Sequence, residues 1–185
     1  MLDPSTIQLA KAAAARYGLD AALVCAVIEQ ESGGNTWATR FEPGFYEGYV
    51  VPLAKKASIL PRAPLTGATG GPMTTSEMMR RAFSWGMMQV MGQTAREAGF
   101  TAPLPSLCDP ATGIAVGCQV LAKKLAIAIE QLYHFYPDFL PGSTTLPGTE
   151  DKTLIWTRTL DLWNGGSNPN YPAEVLARLK SYGSV

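Results

Sequence analysis

Apolar residues recur along this chain at spacings of three and four, the period that places side chains on one face of a helix. Residues 5–17 are rich in good helix formers and stop at Gly18, which predicts a first helix. Asp20 is placed to cap a second helix in which Leu23, Val24, Val27 and Ile28 keep the helical period, and Gly33-Gly34 ends it. Thr74–Phe83 reads as helix, Gly86–Val90 interrupts it, and Gly92–Ala98 resumes a helix that Gly99 closes. Asp109-Pro110 then opens the longest helix, about 110–135, with the acid as cap and proline at the first position. Residues 151–163 and 172–182 supply two last helices, divided by Asn164–Asn170.

The period fails in two places. From Trp37 to about Pro72 the chain is aromatic, Gly and Pro, as in Arg40–Tyr46 and Leu65–Pro72, and predicts ordered loop with short helical pieces such as 51–58. A loop of this length inside a compact domain is uncommon and tends to be functional. Pro137, Pro141 and Pro147 mark a second, polar loop. There is no internal repeat and no β-hairpin alternation, so the fold class expected is mainly α, with little or no β structure.

Composition narrows the picture. A length of 185 residues suits one domain, 1–185, with the irregular stretch of about 37–75 as an insertion. Fifteen basic and fifteen acidic side chains cancel, and no basic run appears, so nucleic acid is a poor partner. The start, Met1–Thr6, lacks the features of a signal peptide and no later segment reads as a membrane span, so a soluble, leaderless chain without stable membrane insertion is expected. Cys25, Cys108 and Cys118 form no C-x-x-C pair, and His134 is the lone histidine. Buried thiols are the expected state, although one disulfide stays open if the protein works outside the cytoplasm. No metal site or cofactor is expected. His134 and the Lys123-Lys124 pair read as the solvated face of the long helix.

The candidate chemistry lies at the end of the second helix. Val24, Val27, Ile28 and Glu31 share one face, while Glu29 points to the other side. A carboxyl beside valine and isoleucine, in a last turn where the helix dipole is negative, is disfavoured as an anion and should titrate high. That suits a general acid at neutral pH. On this segment alone, a Glu at a helix end with its head in water remains the more usual case.

Three blocks in order alter that balance: Glu31-Ser32, Gly86-Met87-Met88-Gln89, and Leu162-Trp163-Asn164-Gly165-Gly166. They resemble the Glu-Ser, Gly-Leu-Met-Gln and Ala-Tyr-Asn motifs of the soluble lytic transglycosylase (SLT) family of lysozyme-like enzymes. Leu107–Pro110 followed by Ile114 and Gly117 also resembles the family's segment before its long central helix. The resemblance runs from about residue 18 to 182, and short motifs in register with helix ends are far more specific than any one alone. Two departures stand out. The family's motif Tyr is Trp163 here, an indole donor instead of a phenol, so a hydrogen bond made by that hydroxyl would be redirected, with Tyr171 a candidate. The extra length between the first two motifs begins at Trp37–Pro43, which resembles phage and prophage relatives.

The resemblance implies a goose-type, lysozyme-like helical fold with a substrate cleft, acting on peptidoglycan glycan strands. It implies Glu31 as lone acid and then base, cleaving between N-acetylmuramic acid and N-acetylglucosamine with formation of a 1,6-anhydromuramoyl end. Ser32, Met88, Gln89, Met91, Trp163, Asn164 and Tyr171 are the candidate substrate-binding residues, Gln89 as an amide able to donate and accept. For at least two of Met87, Met88 and Met91, core filling is favoured. Glu42 is a candidate second carboxylate, which would make the enzyme a hydrolysing muramidase, although pairing with Arg40 is the favoured role. A catalytically silent wall-binding module is the third alternative. The setting expected is synthesis in the cytoplasm and action on the wall in the periplasm, by a monomer, as a phage endolysin or virion-associated enzyme, with a bacterial enzyme exported by another route left open.

Overall fold

The computed structural model describes residues 1–59, 73–135 and 152–183, without the side chains of 57–59 and 135. The expected loops at Leu65–Pro72 and around Pro137, Pro141 and Pro147 lie outside the described residues. Helix α1 runs Pro4–Tyr17, capped by Asp3, whose carboxylate accepts from the Ser5 and Thr6 amides at 3.0 Å each. It stops at Gly18, whose φ of 66° is open to glycine at little cost. Helix α2 runs Ala21–Ser32, capped by Asp20 through the Ala22 and Leu23 amides and ended by Gly33 at φ 61°.

Helix α2 is buried on every side from Ala22 to Ile28, a fuller burial than a single apolar face. Helices α1 and α9 (Tyr171–Leu179) and the 3₁₀ turn Lys180–Tyr182 pack around it. The core is continuous from α2 to Met88, Ile114, Cys118, Leu121 and Leu160. All three cysteines are free, buried thiols; burial pushes Cys25 up to about 11 and Cys118 up to about 12.

Helix α7 (Pro110–Phe135) has the expected bounds, and at 1.5 Å per residue is about 39 Å long. Asp109 caps it by accepting from the Thr112 amide at 2.9 Å. Contrary to the expectation, α7 is long and apolar enough to cross a membrane, with mean hydropathy 1.5. Here its apolar side packs on α1 and α8 (Thr153–Asn164). Two glycines set its seat. A Cβ at Gly113 would lie 2.2 Å from the Leu107 carbonyl oxygen, and one at Gly117 2.3 Å from the Met88 sulfur.

A small antiparallel sheet joins β1 (Thr39–Phe41), β2 (Phe83–Trp85) and β3 (Val90–Met91), with Phe41 opposite Phe83 and Trp85 opposite Val90. Strands of two or three residues carry no readable alternation, and the β1 partner lies far along the chain. The helix expected over Thr74–Phe83 is therefore shorter. Helix α5 spans Thr75–Arg81, and Phe83 is drawn into the sheet. Between β1 and the undescribed residues the chain forms a single turn α3 (Pro43–Phe45), a π-helical turn Tyr46–Val50 and α4 (Val51–Ile59). Helix α6 spans Gly92–Glu97.

Beneath α5 and α6 lies an ionic network. Arg81, 1% exposed, donates to Glu77 at 2.9 Å and to Gln93 at 3.2 Å, and Arg96 donates to Glu77 at 2.8 Å. Burial alone would raise Glu77, but the hydrogen bonds and charges of Arg96 and Arg81 hold it below the usual carboxylate range.

Candidate active site

The two acids near the end of α2 part company. Glu29 accepts from the Tyr182 hydroxyl at 2.9 Å and pairs with the amino group of Met1 at 2.6 Å. Glu31 faces a cleft of about 440 Å³, a volume within the range of small-molecule sites.

Two donors from the far end of the chain meet on one oxygen of Glu31. Trp163, at the end of α8, donates its indole N–H to Oε1 at 2.8 Å, and Tyr171, at the start of α9, donates its hydroxyl to the same atom at 2.5 Å. The α8–α9 loop holds them in place: Asn164 Nδ2 donates to the Asn168 carbonyl at 3.1 Å, and Ser167 Oγ donates to Asn164 Oδ1 at 3.0 Å. Among the described residues nothing donates a hydrogen bond to Oε2. Burial raises the Glu31 carboxyl, and the bonds from Tyr171 and Trp163 and the charge of Arg40 offset this only in part. Glu31 thus keeps its proton to higher pH than an ordinary glutamic acid. Burial and the neighbouring Glu31 charge also raise Tyr171, which stays a phenol and a donor.

The second block is a hairpin turn between β2 and β3. Gly86 takes φ 68° and its amide donates to the Ala38 carbonyl at 2.8 Å; a Cβ there would lie 2.2 Å from the Leu107 carbonyl oxygen. Gln89 sits at φ 46°, unusual for a side-chain-bearing residue and costly unless the surroundings hold it. They do: its Nε2 donates to the carbonyls of Ala38 at 2.9 Å and Gly86 at 2.8 Å, and its Oε1 accepts from Ser84 at 2.8 Å. Ser32 joins this turn to α2 by donating to the Met87 carbonyl at 2.8 Å.

Of the residues singled out in the sequence, Gln89, Met91, Trp163, Asn164 and Glu42 line the cleft with Glu31. Three stand behind it. Met88 is wholly buried against Gly117, so the substrate-binding role expected of it is corrected to core packing; Met87 is buried too. Ser32 and the 6% exposed Tyr171 do not line the cleft and act through the backbone and through Glu31. Gln89 is also sharpened. Both its amide hydrogens are spent within the protein, which leaves acceptor capacity on Oε1. Glu42 pairs with Arg40 at 2.5 Å, as favoured from the sequence.

The cleft wall contains residues that the sequence reading did not assign to the site: Phe45, Thr94, Val120 and Lys124. Lys124, read as solvated, is half-buried in the wall, while Lys123 is exposed. The available signal was the row Gly113, Gly117, Val120, Lys124, whose small members mark the face of α7 that meets the rest of the protein. Among the described residues no three His, Cys, Asp or Glu side chains come together as metal ligands would.

No curated protein and no solved structure matches the chain. The family profile described as the Transglycosylase SLT domain matches residues 8–135, from α1 through α7. That span includes Glu31, Ser32, Glu42, Gln89 and Met91, and stops short of Trp163, Asn164 and Tyr171, which the fold returns to Glu31. With well over half its length matched, and a mainly helical fold to go with it, the chain belongs to the transglycosylase SLT domain family of the lysozyme-like superfamily.

Proposed function

We propose that this protein is a peptidoglycan lytic transglycosylase in which Glu31 alone serves as acid and then base. The family's activity is of the lytic transglycosylase type on peptidoglycan. The observation that carries the finer reading is a cleft-lining carboxyl raised by burial and braced on one oxygen by Trp163 and Tyr171, while no described residue donates to its other oxygen.

The protonated Glu31 gives its proton to the oxygen linking N-acetylmuramic acid to N-acetylglucosamine as the bond from C1 to that oxygen breaks. The muramoyl acetamido group supports the positive charge at C1. The anionic Glu31, which the two fixed donors stabilise without rearrangement, then takes the proton of the muramoyl 6-hydroxyl as that oxygen closes on C1. A 1,6-anhydro end and a free 4-hydroxyl result, water is neither added nor lost, and Glu31 is protonated again. Gln89 and Asn164 offer acceptors, and Met91 and the Trp163 ring apolar surface, to the sugars.

One observation favours a second reading. Glu42 lines the same cleft beside Arg40, a second carboxylate of the kind a nucleophile or base would require. Digestion of purified sacculi by wild type and Glu31→Gln, with mass spectrometry of the products, decides. Anhydro ends that resist borohydride, and a loss of about 10²–10⁴-fold in the variant, are expected. Reducing muramic acid ends would move the assignment to a hydrolysing muramidase. Full activity of Glu31→Gln would overturn the role of Glu31, and wall binding without any clearing would mark a silent module. The likeness of Trp37–Pro43 to phage relatives supports a phage endolysin or virion-associated role; lysis of cells expressing the chain only when a holin is supplied tests the endolysin setting.

A further inference from the structure

We propose that Lys124 is a specificity-determining residue that takes a substrate carboxylate carried by the lactyl arm of the muramoyl residue. This deepens the glycan-cleaving reading above and rests on it. Lys124 lines the same cleft as Glu31 and Gln89 and is half-buried there. It follows Val120 by one turn on α7, a wall held in place where Gly113 meets the Leu107 carbonyl and Gly117 meets Met88. Its base is therefore rigid, as specificity requires.

The charges in the cleft are unequally matched. Arg40 is occupied by Glu42 at 2.5 Å, and Glu31 is held by Trp163 and Tyr171. Lys124 makes no ion pair with any described carboxylate. A lysine in a cleft wall with no carboxylate of its own to pair with offers its ammonium to an anionic ligand in the cleft. The rings of a glycan strand carry neutral hydroxyls and acetamides. Its anions belong to the 3-O-lactyl arm of every second sugar, either as the lactyl carboxylate in a strand without peptides or as the carboxylates of the attached stem. A fixed cation in the wall can thus tell muramoyl from glucosaminyl residues along an otherwise even β-1,4 chain. It would set the register that brings the muramoyl C1 to Glu31.

The test compares Lys124→Met and Lys124→Arg with wild type on three substrates: stem-bearing strands, amidase-stripped strands, and stripped strands with the lactyl carboxylate converted to a neutral methylamide. Wild type should prefer a charged strand over the neutral one by tenfold or more in kcat/KM, mainly through KM, and added salt should erode that preference. Lys124→Met should abolish it and Lys124→Arg restore most of it. Loss of preference on stripped strands identifies the lactyl carboxylate, and loss on stem-bearing strands alone identifies the stem. Equal changes on charged and neutral strands, or none on any, would overturn the proposal. Binding of the three strands to the same Lys124 variants in a Glu31→Gln background reads the preference without turnover. If wild type cleaves no glycan, the transglycosylase reading falls and the binding series still decides the role of Lys124.

Discussion

Replacing Glu31 with glutamine should raise stability while it removes activity. The carboxyl is raised because burial disfavours its anion more than Tyr171, Trp163 and Arg40 favour it. In the unfolded chain a glutamic acid titrates near its ordinary value of about 4.3, so at neutral pH folding must drive a fully ionised group into a site that prefers it neutral. Each pH unit of elevation costs about 1.4 kcal/mol once the pH exceeds both values. The sign follows: this contribution is fully favourable below the unfolded value and is lost as pH rises through the folded one. Glutamine is close to isosteric, is never charged, and its carbonyl oxygen can accept from both Tyr171 and Trp163. Thermal melts of both proteins across pH 3–8 should nearly coincide at the acid end and separate above it, with the variant melting higher. The scale for a chain of this size is about 2–4 °C per kcal/mol. A variant that melts at or below wild type at pH 7 would refute the argument that Glu31 is held in a site hostile to its anion. Such a trade of stability for function is common where a site must hold a destabilised group.

Tyr171→Phe removes a donor to the anion worth about 1.5–3 kcal/mol, so Glu31 should hold its proton to higher pH and the alkaline fall of activity should move upward; an unmoved pH–rate profile would deny the coupling. Glu77→Gln takes the carboxylate from two guanidinium groups, one of them 1% exposed, and should cost about 3–5 kcal/mol in urea unfolding at pH 7. Because Glu77 is depressed, its stabilisation in wild type is present above its unfolded value and lost as pH falls through the folded one, so the deficit of the variant should shrink in acid. Gly117→Ala drives a Cβ to 2.3 Å from the Met88 sulfur and 2.9 Å from its Cβ; a loss of about 1–3 kcal/mol is expected, partly recovered in a double variant with Met88→Ala.

The legible parts of the fold were those decided by near neighbours. Asp20 and Asp109 cap the helices they precede, Gly18 and Gly33 end two of them, and α7 spans 110–135 as its pattern implied. The sheet was not legible, since β1 and β2 pair across some forty residues through strands of three. The separation of Glu29 from Glu31 followed from helix geometry, yet the partner of Glu29, Tyr182, could not be read from it.

By itself, then, the sequence determined the helices, their ends and the acid most disposed to titrate high, because capping bonds and helical faces depend on residues within a turn or two. Only the tertiary structure decided that donors 132 and 140 residues away would meet on one Glu31 oxygen. It also decided that the Gln89 amide hydrogens are spent on backbone carbonyls, that Met88 is core, and that Lys124 faces the cleft. Burial and the convergence of distant side chains belong to how helices pack on one another, and local pattern carries no record of which wall a residue will finally join.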